Sequence, residues 1–414
     1  MHRQPQRSLR RIQRVLVILL PILALSLAAL LIANAHLNRS HPVDSDGVSN
    51  DTDISADVTI PAPSDVNTGG SESDPEHAEL TSDRFPTQDA ESEPKSEPTK
   101  ESKPVTLLFT GDVLLSDYVL SNYNNNGIDG VLSPELLREL RDADLTVINN
   151  EFPFSTRGTQ APDKQFTFRV DPKYVSVLTD MGVDIATLAN NHVLDFGPDA
   201  LQDTFDTLDH AGIDYMGAGN DPARAEALVT REAGGKTFGF LAASRVIPVV
   251  SWDIQNSSPG VFTTYDPTRL VAAIKAAKES CDYLTVFVHW GIEREEYPQD
   301  YQVSMAKQYI DAGADLVIGS HPHVLQGITY YKDKPICYSL GNFIFNRDIP
   351  RTAAVKVTID GEKEPEIRLI AATASNARTV ACEDAQAAEI YDHLEDISTG
   401  ISIDTDGFLS QTAE

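Results

Sequence analysis

From Val105 to about residue 348, short apolar runs of strand length alternate with helical patterns, and one run after another ends in a metal-binding or polar residue. VTLLFT at 105–110, LTVIN at 145–149, DIATLA at 184–189, IDYMG at 213–217, KTFGFLAA at 236–243, YLTVFVH at 283–289 and DLVIGS at 315–320 read as buried strands. Helices are predicted at 133–141, 172–181, 198–211, 267–279 and 302–313, the first with Ser133 as N-cap and Pro134 at its first position. After residue 320 the pattern turns to strands alone: GITYY, PICYSLG, AAVKVTID and EIRLIAA. Mixed βα units followed by hairpins predict two packed sheets with helices outside, a four-layer αββα sandwich of the α/β class.

Ligands of open α/β sheets bind beyond the carboxyl ends of strands, and the polar motifs fall there. Asp112 follows VTLLFT, Glu151 follows LTVINN, Asn191 and His192 follow DIATLA, His289 ends YLTVFV, and His321 and His323 follow DLVIGS. Glu151 sits among Phe152, Pro153 and Phe154, where an unpaired carboxylate is costly and a cation would relieve the cost. The pair His321 and His323 brackets Pro322; in an extended segment residues i and i+2 project to one side, so two imidazoles can converge. A mixture of Asp, Glu, Asn and His suits Mn²⁺, Fe²⁺ or Zn²⁺ better than Ca²⁺, and the ligands outnumber those of one tetrahedral zinc, which leaves room for a second ion. Arg169 in FTFRV is a candidate for a substrate carboxylate, Glu293 follows HWG closely enough to line the same cleft, and Asn342 follows a predicted strand.

Upstream the composition changes. Arg3, Arg7, Arg10, Arg11 and Arg14 form a basic tail at 1–14, and the run from Val15 to about Ala33 carries no charge. That length suffices to cross a bilayer core as a helix, so 15–35 is predicted to be a transmembrane anchor with the arginines cytoplasmic and everything downstream outside the cell membrane. Ala33-Asn34-Ala35 matches an A-x-A cleavage pattern, which leaves a secreted form open. Residues 36–104 are Ser, Asp, Glu, Pro and Thr with a net charge of roughly −11, too few apolar groups to offset ordering entropy, and are predicted to be a disordered acidic linker. The main domain is placed at 105–380, with a C-terminal tail at 381–414.

The whole chain of 414 residues carries a formal charge of −29, which excludes nucleic acid as a natural partner and repels an acidic polymer unless a metal or local basic patch offsets the field. Cys281, Cys337 and Cys382 supply neither a C-x-x-C pair nor a disulfide framework.

Read in order, TGDV, NNEFPF, LANNHVLDFG, VHWGIE, GADLVIGSHPH and YSLGNFIF resemble the CapA family of capsule-synthesis proteins, associated with poly-γ-glutamate, whose domain is similar to the calcineurin-like metallophosphoesterases. The resemblance covers roughly residues 105–348. It implies that Glu151 bridges two divalent metals, with Asp112 and His323 on one and Asn191, His289 and His321 on the other. It implies further that His192 donates a proton to a leaving group, with Asp195 orienting its ring. Where the phosphoesterase pattern D-x-H would place a histidine, Leu114 stands. The expected function is that of a membrane-anchored, extracellular metal-dependent hydrolase or transferase on poly-γ-glutamate or a related anionic envelope polymer. A phosphoesterase on an extracellular substrate and a non-catalytic factor of a membrane synthase complex are the alternatives.

Overall fold

The computed structural model describes residues 103–412. The basic tail, the anchor at 15–35 and nearly all of the linker at 36–104 lie outside the described residues. No helix among the described residues is long and apolar enough to cross a membrane.

The described residues form eighteen strands: β1 Val105–Val113, β2 Leu145–Asn150, β3 Ile185–Thr187, β4 Asp214–Met216, β5 Ala218–Gly219, β6 Val229–Ala233, β7 Lys236–Ser244, β8 Gly260–Val261, β9 Tyr283–His289, β10 Leu316–Ser320, β11 Leu325–Tyr331, β12 Lys334–Leu340, β13 Asn342–Ile344, β14 Ile349–Ile359, β15 Glu366–Ser375, β16 Arg378–Ala381, β17 Ile401–Ile403 and β18 Leu409–Gln411. One sheet runs β16-β15-β14-β1-β2-β3-β4, with β13 beside the end of β1; the other runs β11-β12-β10-β9-β7-β6. In the first sheet a parallel group, β1 to β4, runs out to the β4 edge, and in the second a parallel group, β7, β9, β10 and β12, forms the middle. Antiparallel strands β14 to β16 close one side of the first sheet, and β6 and β11 close both sides of the second. Parallel neighbours point their carboxyl ends the same way, which gathers several loops at one end of each sheet.

Alternation along the second sheet explains the layering. Phe238, Phe240, Phe287, Leu316, Ile318 and Cys337 face a core shared with Leu107, Phe109 and Val147 of the first sheet. Their neighbours Leu241, Leu284, Val286, Val288, Val317 and Ile336 face a second core with Leu270 and Ile274 of helix Thr268–Lys278 and Ala306 and Tyr309 of helix Asp300–Ala312. Side chains two apart share a face, so strands apolar at every position must be buried on both sides. Helices Pro134–Asp142, Val175–Met181 and Pro198–Ala211 pack with the first sheet. Ser133 caps the first of these, its hydroxyl accepting from the Leu136 amide at 3.4 Å.

Among the described residues three α-helices were not expected from sequence, one of them the single turn Pro222–Ala225. Asp117–Asn126 buries only Val119 and ends in three asparagines, so neither periodicity nor propensity marks it. Asp384–Asp396 corrects the reading of 381–414 as a tail. Its Ala387, Ile390, Tyr391 and Leu394 follow the helical repeat and are buried, and Tyr391 donates to the Leu369 carbonyl at 3.0 Å. The β17–β18 hairpin follows it. The four runs read as strands after residue 320 are strands, β11, β12, β14 and β15.

Candidate metal centre

Register brings the polar strand ends together. Asp112 on β1 pairs across to Asn149 on β2 and to Asn342 on β13, while His289 at the end of β9 lies opposite Ser320 on β10 and Ser244 on β7. Where the chain crosses itself the backbone comes very close: the Asp112 amide donates to the Gly341 carbonyl at 2.9 Å, and a Cβ on Gly111 would stand 1.9 Å from that oxygen. The His321–Pro322–His323 turn is not the extended segment that the i, i+2 reading supposed. Both histidines hold positive φ, 97° and 59°, and left-handed backbone rather than strand pleat brings their rings to 5.9 Å between centroids.

The expected ligands fall into two contact groups with Glu151 between them. In one, His323 Nδ1 lies 3.2 Å from Asp112 Oδ2 and 2.8 Å from Asn342 Oδ1. In the other, His289 Nε2 lies 2.9 Å from Asn191 Oδ1, and the His289 ring is 4.8 Å from that of His321. Glu151 Oε1 is 3.7 Å from His289 Nε2 and 3.9 Å from His323 Nε2, too far for hydrogen bonds. Among the described residues both Glu151 oxygens and His321 Nδ1 are buried without a partner, and Glu151, His321 and His323 each offer a ligand atom within 4.8 Å of the others. A fully buried carboxylate with four unused lone pairs, ringed by imidazole and amide groups, is a donor set that fits a divalent cation.

The electrostatics lead the same way. Burial, and then the charge of Asp112, push the Glu151 carboxyl well above its ordinary range. Burial opposes a charge on His323, but Glu151 and Asp112 outweigh it and raise the imidazole to about 10. Burial and the neighbouring His323 push His321 down to about 4, and burial with the surrounding histidines holds His289 well below its ordinary value. His289 and His321 are thus held toward the neutral form in which imidazoles ligate metals, while Glu151 and His323 both favour holding a proton where a cation would add positive charge.

Beside this cluster, His192 Nδ1 lies 2.7 Å from Asp195 Oδ2, and the Phe168 ring stacks at 4.4 Å from the His192 ring. Asp195 is fully buried and also accepts from the Phe168 amide at 2.7 Å. Burial holds the His192 imidazole below its ordinary value although Asp195 favours its charge. Asn342 meets His323. Leu114 is buried in the apolar core and donates its amide to the Ile344 carbonyl, so an aliphatic side chain occupies the position where D-x-H would supply an imidazole.

Two expected substrate residues are not brought to the ligands. Arg169 lies with its guanidinium 4.1 Å from the Phe196 ring centre and donates to the Arg157 carbonyl at 2.9 Å, because the short strand-like bridge of Val170 with Phe154 turns it outward. Glu293 is exposed and has no hydrogen bond or ion pair among the described residues, although the next residue, Arg294, donates its amide to the Pro322 carbonyl.

Sequence reasoning missed four residues that hold the site. Asn149 donates to Asp112 Oδ1 at 2.7 Å, Asn190 donates to Asn149 Oδ1 at 3.1 Å and accepts from the His192 amide at 3.0 Å, and Ser320 meets His289 Nδ1 at 2.9 Å. Lys164, in a polar loop, contacts Asp195 and His192. The doubled asparagines in NNEF and ANNH were the only available signal for the first two.

Fold and site together define an α/β two-sheet protein with a buried acid and histidine centre of divalent-cation type. The family model of the bacterial capsule synthesis protein PGA_cap matches residues 106–347, more than half of the chain, and the chain belongs to that family. It is 31% identical over 263 residues to the capsule biosynthesis protein CapA of Bacillus anthracis, covering 61% of this chain and 62% of that protein. It is likewise 31% identical over 246 residues to the PGA biosynthesis protein CapA of Bacillus subtilis, covering 59% and 64%. A probable polyglutamine synthesis accessory protein of Mycobacterium tuberculosis is 35% identical over 210 residues, covering 49% of this chain and 55% of that protein. The matched region thus spans less than two thirds of these relatives' lengths. Among solved structures, a hypothetical protein from Thermus thermophilus aligns with a TM-score of 0.38 at 18% identity, covering 64% of this chain and 99% of that one. The sulfate thiohydrolase SoxB, also of Thermus, aligns with a TM-score of 0.38 at 14% identity, covering 71% and 58%.

Proposed function

We propose that this protein is a metal-dependent hydrolase or transferase of metallophosphoesterase type, acting on poly-γ-glutamate or a related anionic envelope polymer. In this reading residues 15–35 anchor it in the cell membrane, the domain lies outside the cell, and a membrane synthase complex is its partner. The observation that carries the enzymatic part is Glu151: a buried carboxylate with no hydrogen-bond donor among the described residues, set among Asp112, Asn191, His289, His321 and His323. Those six residues would hold one or two ions of the Mn, Fe or Zn kind. Bound there, such an ion supplies Lewis-acid polarisation of the carbonyl or phosphoryl group under attack.

The remaining roles belong to the chain itself. His192 gives its proton to the departing nitrogen or oxygen, while Asp195 keeps the imidazole in one orientation through Nδ1. Phe168 covers one face of that ring and Phe345 lies 4.8 Å from the His323 ring, so both limit water around the proton-carrying and ligating imidazoles. Asn342 and Ser320 fix the orientation of His323 and His289. The polymer assignment rests on family membership and on the names of the relatives.

The test uses the purified full chain. Elemental analysis should find a transition metal, and poly-γ-glutamate should shorten in a reaction abolished by chelation. His192→Ala should keep the metal and lose roughly 10²–10⁴-fold in rate, the usual worth of a positioned proton donor. Turnover of a generic phosphodiester with no polymer cleavage moves the activity to phosphoester chemistry. Bound metal with neither activity leaves the non-catalytic role, and a chain that binds no divalent ion removes the enzymatic reading altogether.

A further inference from the structure

Lysine is among the residues least often buried, yet only 12% of the Lys164 side chain is exposed. Its ammonium meets one turn at three atoms: the Asn191 carbonyl at 2.5 Å, His192 Nδ1 at 3.0 Å and Asp195 Oδ1. Two of the three ammonium N–H groups have acceptors here, the Asn191 carbonyl and Asp195 Oδ1, while the His192 Nδ1 that stands 3.0 Å away donates its own hydrogen to Asp195 Oδ2. A fourth contact comes from elsewhere in the fold. The Trp252 ring centre lies 5.2 Å from Nζ, and Trp252 belongs to the segment that follows β7 in the second sheet, whereas Asn191 to Asp195 follow β3 in the first.

The segment carrying Lys164 is fastened to the same turn at further points. The Ala161 amide donates to the Asp195 carbonyl at 2.7 Å, and the Phe168 amide donates to Asp195 Oδ2. Asp195 therefore keeps two donors, His192 and Phe168, if the lysine is removed, and the turn retains its attachment. What is lost is the restraint on the Asn191 carbonyl and the second contact on the Nδ1 side of His192. The Nε2 of that ring has no hydrogen-bond partner among the described residues, which leaves it for chemistry.

We infer that Lys164 is a positioning residue that clamps the Asn191–Asp195 turn and ties it to the Trp252 segment. One ammonium thereby sets a candidate metal ligand and the proton-carrying imidazole as a unit. The inference rests on the proposed role of His192, but its geometric content can be measured without turnover.

In the full chain, Lys164→Met should keep the wild-type metal stoichiometry, move the ¹⁵N resonances of the His192 ring and shift the fluorescence of Trp252. With poly-γ-glutamate, kcat should fall roughly 10–100-fold, the usual cost of losing an orienting partner, with KM nearly unchanged. Lys164→Arg preserves the charge in case the methionine variant does not fold, and should displace the same resonances less and recover part of the turnover. A folded Lys164 variant whose His192 resonances coincide with those of the wild type overturns the inference, and so does a loss of turnover matched by a loss of metal. If the unsubstituted chain cleaves no polymer, the hydrolase reading falls and the ring resonances alone decide on Lys164.

Discussion

Glu151 brings two acceptor oxygens into a place where no donor among the described residues meets them, while the asparagines around it are bonded to Asp112, to His289 and His323, to one another or to backbone. In the absence of a cation this arrangement works against the fold, since a buried polar group left without a partner costs about 1–3 kcal/mol and a charged one more. Glu151→Gln keeps the shape and removes the charge. The metal-free variant should melt no lower than the wild type, whereas the stabilisation by added Mn²⁺ or Zn²⁺, about 2.7 kcal/mol at a hundredfold excess over Kd, should vanish. Thermal melts with and without chelator measure both, and equal stabilisation of the two proteins would remove Glu151 from the ligands. The six proposed ligands were legible in the sequence because each stands where an apolar run stops. Lys164, Asn149 and Ser320 were not, since their partners come from segments remote in sequence and no local pattern records which loops meet. Arg169 failed for the complementary reason: a guanidinium suited to carboxylates is equally suited to an aromatic face, and Phe196 takes it.

Among the elements, long and wholly apolar strands were read from the sequence to within a few residues, because burial on both faces leaves no polar interruption. The helices at Asp117–Asn126 and Asp384–Asp396 escaped notice, one for want of any apolar stripe and the other because its stripe follows a region of strands. The crossing of β1 with the β12–β13 connection was invisible too, although it sets the position of Asp112. Gly111 and Gly341 touch there, and Gly341 also needs its positive φ of 66°. Gly111→Ala would force a methyl group against a backbone oxygen that has no side-chain freedom with which to retreat. A destabilisation of about 1–3 kcal/mol is expected, and because Asp112 is the next residue, metal affinity should fall with it. Calorimetry and metal titration of this variant test both expectations, and a loss of stability with unchanged affinity would show that the crossing supports the fold without setting the ligand.

For the whole molecule, two packed sheets with helices outside could be anticipated from the order of βα units and hairpins, because connection rules leave few other ways to bury such strands. Charge has consequences at this scale that no single contact has. On the proposed function a chain carrying −29 must bring like charges together with a polyanion, and Lys164 does not relieve this because it is committed to Asp195. The field reaches about 30 Å at 0.01 M salt and about 8 Å at 0.15 M, so repulsion dominates at low ionic strength and is largely screened at the higher value. Binding of labelled poly-γ-glutamate should therefore strengthen as monovalent salt rises over that range, opposite to the behaviour of a protein that captures polyanions on a basic groove. Divalent ions at matched ionic strength should strengthen it further, since an ion held by Glu151 and the histidines offers the polymer a local positive centre. Fluorescence anisotropy at fixed pH separates the two effects. Affinity that falls as salt rises would show that a basic surface governs the encounter, and would overturn the expectation that the net charge of the chain does.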